Sequence, residues 1–191
     1  MIGAMSERPW NILILCTGNS ARSILAEALF NALGGGRVRA FSAGSKPAGK
    51  VNPHALALLE EQGLDSANLR SKSWDEFAAP GAPDLDLVVT VCDNAAGETC
   101  PLWPGVPLRA HWGIADPAAA EVAKAGNDED IRAAFMKAYA LLAERILTFL
   151  SLSFETLDRA ELQKHLAEIG RAGAAADVPG AAEILSVDEE E

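Results

Sequence analysis

The segment Asn11–Phe30, NILILCTGNSARSILAEALF, decides how the chain folds. Its first five residues, Asn11–Leu15, form a short, nearly unbroken apolar run, which suits a strand buried on both faces of a parallel sheet. Cys16 closes that run. From Ser23 onward apolar residues recur at Ile24, Leu25, Ala28, Leu29, Ala32 and Leu33, one face of a helix, and Gly34-Gly35-Gly36 stops it. Between strand and helix lies the six-residue loop Thr17–Arg22.

The rest of the chain repeats the alternation. Val38–Ser42 reads as a second strand. Asn52 and Pro53 cap and start a helix carrying Leu56 and Leu59, with Gly63 past its end. Leu85–Val91 is β-branched and apolar, a third strand that runs into Cys92. A loop bearing Gly and Pro follows to Pro104-Gly105, and Val106–Trp112 reads as a fourth strand. Asn127 caps the longest helix, to Leu150, with Ile131, Phe135, Tyr139, Leu142 and Ile146 on its apolar stripe. Strands alternating with helices predict an α/β layered fold with a parallel sheet. Ligands of such sheets sit beyond the carboxyl ends of the strands. The loops at Cys16, Cys92 and Asp116 all follow strands, so they are expected on one edge.

Length and charge narrow the reading further. With 191 residues, 49% of them hydrophobic, the chain suits one domain with an appendage. We expect a domain over residues 1–150. Residues 151–191 are expected to be an acidic extension, with a short helix at about 158–170 and disorder beyond it. Asp158 and Glu161 form a capping box for that helix, which carries Leu162, Leu166 and Ile169. The extension holds 10 acids against 3 bases, so it carries net −7 of the chain's −11. That sign argues against a nucleic-acid partner. No apolar run approaches the roughly 20 residues of a membrane span, and the start lacks the apolar core of a signal peptide. A cytoplasmic setting is expected, where the 3 cysteines would stay reduced rather than form a structural framework.

The loop Thr17–Arg22 suggests chemistry. Gly18 and Asn19 permit unusual backbone angles. The amides of Thr17, Gly18, Asn19, Ser20 and Ala21 are placed to form an anion nest at the positive end of a helix. Arg22 adds a fork of donors suited to a tetrahedral oxyanion. Cys16 would lie beneath that anion as a thiolate nucleophile, with Ser23 donating to the sulfur.

CTGNSARS at Cys16–Ser23 resembles the phosphate-binding loop of the low-molecular-weight protein tyrosine phosphatases and their relatives, the arsenate reductases. The resemblance covers about residues 11–150 and implies a four-stranded parallel sheet in the flavodoxin-like order. It also implies a general acid, Asp116 in HWGIADPAA. The phosphatases have Asp-Pro-Tyr there. This chain has Asp-Pro-Ala, and its His-Trp-Gly before Asp-Pro is similar to the reductase pattern.

The stretch VVTVCDNAAGETCPLWPG extends the resemblance to the thioredoxin-coupled reductases. Cys92 matches their second cysteine and Cys100, just before Pro101, their third; seven residues separate the two. The implied reaction starts with Cys16 attacking arsenate while Asp116 aids loss of water. Cys92 then attacks Cys16 and frees arsenite, and Cys100 takes over the disulfide. Thioredoxin, or glutaredoxin with glutathione, would restore the thiols, with no bound organic cofactor. Phosphate or sulfate would also fit the loop. Ala21 stands where some relatives carry a further cysteine. The resemblance implies a potassium site as well, with Asn19, Glu27 and Ser42 in matching places. Its remaining ligands would fall in LRSKSW, where Ser71 could serve and Ser73 replaces the expected acid. A tyrosine phosphatase is the alternative activity. A metal pair at Cys92 and Cys100 with His111, or an oxyanion-sensing module using the extension, are further alternatives.

Overall fold

The computed structural model describes residues 8–99, 101, 103, 105, 107–119 and 127–172. Cys100, Val106 and residues 173–191 lie outside them, so the expectations for a third thiol and for the end of the chain do too. Four strands form the sheet: β1 Trp10–Cys16, β2 Val38–Gly44, β3 Leu87–Thr90 and β4 Leu108–His111. All pairs are parallel and the order is β2-β1-β3-β4. Five helices are described: α1 Arg22–Leu33, α2 Pro53–Glu61, α3 Asp93–Gly97, α4 Asp128–Ser151 and α5 Arg159–Arg171.

Central β1 explains its own composition. Ile12, Ile14 and Cys16 face the core shared with α1, α2, α4 and α5, while Leu13 and Leu15 face a second cluster with Phe77, Leu85, Val88 and Trp103. Both faces are covered, so no polar alternation survives. The expected caps are present. Asn52 accepts from the His54 amide, Asn127 from Asp130 and Asp158 from Glu161.

The ends of β1, β2 and β4 differ by one or two residues from Asn11–Leu15, Val38–Ser42 and Val106–Trp112, and three further details differ from the sequence reading. The α2 stripe uses Ala55, Leu58 and Leu59, and Leu56 is only half-buried. The β3 ladder, Leu87–Thr90, is shorter than Leu85–Val91, and just before it the Asp86 carboxylate accepts from the Asn11 amide and from Arg8. The loop after Cys92 holds a short helix, α3, and a 3-10 turn at Trp74–Phe77 covers the second face.

Helix α5 packs on β4, the edge strand, and buries Leu162, Leu166 and Ile169 in the main core. Among the described residues no helix is long and apolar enough to cross a membrane.

Candidate functional site

The loop after β1 is shaped from outside by its own carbonyls. Thr17 O accepts from the Lys46 amide, Gly18 O from the Ala48 amide and the Ser71 hydroxyl, and Ser20 O from the Asn52 amide. In a planar trans peptide the next N–H points the opposite way. The amides of Gly18, Asn19 and Ala21 are therefore turned into the loop, and the Asn19 amide lies 3.2 Å from Cys16 Sγ. Asn19, at φ 42°, carries the left-handed turn; Gly18, the other residue expected to need such freedom, does not have a positive φ. Asparagine tolerates that region because its short polar side chain finds local partners.

The loop continues into α1, which has Ala21 at its N-cap and no side-chain cap. Its first-turn amides thus keep their donors for a ligand. Ser23 Oγ sits 2.9 Å from Cys16 Sγ, as expected. Cys16 itself is buried.

Glycine 44, which sequence reading passed over, is what lets the loop pack. A methyl there would overlap the carbonyl oxygen of Thr17 and press on the Asn19 amide. Its only sequence signal is a small residue at the end of β2, the neighbour of β1.

Arg22 lies at the start of α1 and reaches across the edge of the sheet. It donates to Ile114 O at 3.1 Å and approaches the Asp116 carboxylate at 3.5 Å. Asp116 is half-exposed in a turn, accepting from the amides of Ala118 and Ala119. Ile114 N bonds to Val91 O, which fixes this loop beside β3.

Cys92 is buried and caps α3, accepting from the Ala95 amide at 3.4 Å. Its sulfur is 3.6 Å from the Thr17 hydroxyl. The β1–β3 register, with Leu15 opposite Thr90, brings Cys16 and Cys92 to the same edge. The structure therefore brings together Cys16, Thr17–Arg22, Ser23, Cys92 and Asp116. His111 is engaged with Asp93 at 3.0 Å and Thr90 at 2.8 Å. Among the described residues no cluster of three or more His, Cys, Asp or Glu is placed to hold a metal.

Behind the loop runs a buried polar chain. Asn19 Nδ2 donates to Ser23 Oγ and to Ser42 Oγ, and Ser42 donates to Glu27. Lys72, buried like Glu27, places its ammonium 3.6 Å from that carboxylate. Asn19 Oδ1 accepts from the Lys72 amide. Burial raises the Glu27 carboxyl above its usual range, against the pull of Ser42 and Lys72. Burial likewise lowers Lys72, against the pull of Glu27. These residues do not fit a potassium ion. The one carboxylate already faces a fixed ammonium, the Asn19 oxygen is used by backbone, and Ser73 caps the 3-10 turn. Lys72 was missed because LRSKSW reads as charged surface until β2 and α1 close over it.

Comparison with known proteins agrees with this fold. The profile described as low molecular weight phosphotyrosine protein phosphatase matches residues 11–165. The arsenate reductase of Halalkalibacterium halodurans is 40% identical over 138 residues, 72% of this chain and 93% of that protein. The arsenate reductase structure from Archaeoglobus fulgidus has a TM-score of 0.55 at 33% identity, covering 74% of this chain and 99% of its own. The thioredoxin-dependent arsenate reductase of Corynebacterium glutamicum has a TM-score of 0.50 at 25% identity, covering 73% and 61%. With its sheet order, its amide-lined loop over a cysteine and these matches, the chain belongs to the low molecular weight phosphotyrosine protein phosphatase family.

Proposed function

We propose that this protein is an arsenate reductase that works by a cysteine relay. The observation that carries the reading is the Cys92 sulfur beside Thr17, on the rim of the loop that surrounds Cys16. Arsenate binds in the loop amides and the fork of Arg22. The Cys16 thiolate attacks arsenic(V), and one oxygen leaves as water with a proton from Asp116. Cys92, as thiolate, then attacks the Cys16 sulfur. A Cys16–Cys92 disulfide forms, the sulfur–arsenic bonding pair stays on arsenic, and arsenite leaves. Arsenic gains two electrons and the two thiols lose them. Cys100 next attacks Cys92 and frees Cys16 by exchange. An external dithiol protein reduces the last disulfide. Thioredoxin is our choice of donor, in keeping with the name of the Corynebacterium relative.

A phosphatase shares the first step but needs no second thiol. Ala118, where the tyrosine phosphatases are expected to carry an aromatic ring, favours the reductase reading. The test supplies purified protein with arsenate, thioredoxin, thioredoxin reductase and NADPH. NADPH oxidation that depends on arsenate supports the proposal. Hydrolysis of an aryl phosphate without any arsenate-dependent oxidation, with thioredoxin or with glutaredoxin and glutathione, refutes it.

A further inference from the structure

Arg145 is almost wholly buried on α4, at 2% exposure, and all its described hydrogen bonds go to backbone carbonyls. Nη1 donates to Gly113 O at 3.1 Å. Nη2 donates to Gly170 O at 3.2 Å and to Ala172 O at 3.1 Å, and Nε reaches Ala172 O at 3.3 Å. A guanidinium in an apolar core is costly, and satisfying the end of one helix does not require a charge from another. What this one does is join two segments, the end of α5 and the loop that carries Asp116. Gly113 lies three residues before Asp116. The intervening Ile114 takes the Arg22 hydrogen bond.

Helix α5 holds the same segment at three more points. Gln163 donates to Arg109 O on the open side of β4, at 2.7 Å. The Trp112 indole donates to Leu166 O at 3.1 Å. Gly170 lies so close to His111 that a methyl would overlap its carbonyl oxygen. From Arg109 to Gly113, the approach to Asp116 is thus fastened to α4 and α5.

We infer that Arg145 is a positioning residue, which with α5 sets the loop 112–116 so that Asp116 meets the oxygen leaving arsenic. The inference rests on the role proposed above for Asp116. It makes the extension helix part of the reductase machinery rather than an appendage.

The test uses the full chain and the variants Arg145→Met, Arg145→Lys, Gly170→Ala and Asp116→Asn. Arg145→Met should lower kcat for arsenate by roughly 10–100-fold, the scale of a small misplacement of a reacting group, with KM nearly unchanged. Arg145→Lys, which keeps the charge, should lose less. In an Asp116→Asn background, Arg145→Met should cost almost nothing further. Amide hydrogen exchange at Ile114 and Ala118 should speed up while that at Asn19 stays slow. An equal kcat loss in both backgrounds, or unaltered exchange at Ile114 and Ala118, overturns the inference. If Arg145→Met does not fold, Gly170→Ala enters the same cycle, since it displaces the α5 end of the clamp while the Arg145 side chain is retained. If Asp116→Asn alone leaves kcat intact, the acid assignment falls and takes this inference with it. If the wild type reduces no arsenate, the function fails, and the exchange data still decide whether Arg145 sets the loop.

Discussion

The Thr17 hydroxyl lies 3.6 Å from the sulfur of Cys92. One residue of the anion loop thus touches the second thiol while its neighbour, Cys16, is the first. The contact holds the Cys92 sulfur at the rim of the loop, on the side from which it must reach Cys16.

Thr17→Val should therefore slow the second step and spare the first. A hydrogen bond of this kind contributes about 1 kcal/mol, so arsenite release in a single turnover should slow roughly fivefold. Phosphate affinity should be unchanged. Rapid-quench assay of arsenite, beside calorimetric titration with phosphate, reads both.

Gly44→Ala addresses the cradle itself. The added methyl would overlap Thr17 O and crowd the Asn19 amide, so the loop must shift to admit it. Overpacking of this kind costs about 1–3 kcal/mol. We expect a lower melting temperature and phosphate binding at least about tenfold weaker, a loss near 1.4 kcal/mol. Phosphate titration of the variant checks it.

The buried pair Glu27–Lys72 supports a double-mutant cycle. Lys72→Met takes the contacting ammonium from the buried Glu27 carboxylate, and Glu27→Gln takes the contacting carboxylate from the buried Lys72 ammonium. Each should cost about 3 kcal/mol in urea denaturation, the scale for breaking a buried pair. The double variant should cost clearly less than the two losses combined.

Arg37 and Glu155 predict a pH dependence. Arg37 forks onto Glu155 at 2.6 and 2.8 Å, donates to Leu150 O and Leu152 O, and lies over the Phe154 ring. The guanidinium holds the Glu155 carboxyl below its usual range. A depressed carboxylate stabilises the fold above its ordinary range, and that contribution is lost as pH falls through the folded value. The pair is partly exposed, so Glu155→Gln should cost about 1 kcal/mol at neutral pH. Its stability deficit should shrink to nothing in the acid range below the usual carboxylate pKa. Denaturation of both proteins across pH measures this.

The parts legible in the sequence are those whose signal is local. The β1–α1 junction was readable because an apolar run, a polar loop and a helical period meet within twenty residues. Capping residues at Asn52, Asn127 and Asp158 marked three helices for the same reason. Helix α3 was not legible, since it is five residues long, buries only Ala95 and is capped by a cysteine. Lys72, Gly44 and Arg145 escaped notice because their roles exist only between segments distant in sequence. The periodicity of α5 was plain, but nothing local said that it would grip the loop ahead of Asp116.

The most direct measurement is a disulfide map after a single turnover. Reduced wild type, Cys92→Ser and Cys100→Ser are each given one equivalent of arsenate, quenched with an alkylating agent and mapped by mass spectrometry, with arsenite counted in parallel. The relay gives a Cys92–Cys100 link in the wild type, a trapped Cys16–Cys92 link with arsenite released in Cys100→Ser, and no arsenite from Cys92→Ser. Arsenite released by Cys92→Ser at the wild-type rate, or a link that bypasses Cys92, would contradict it.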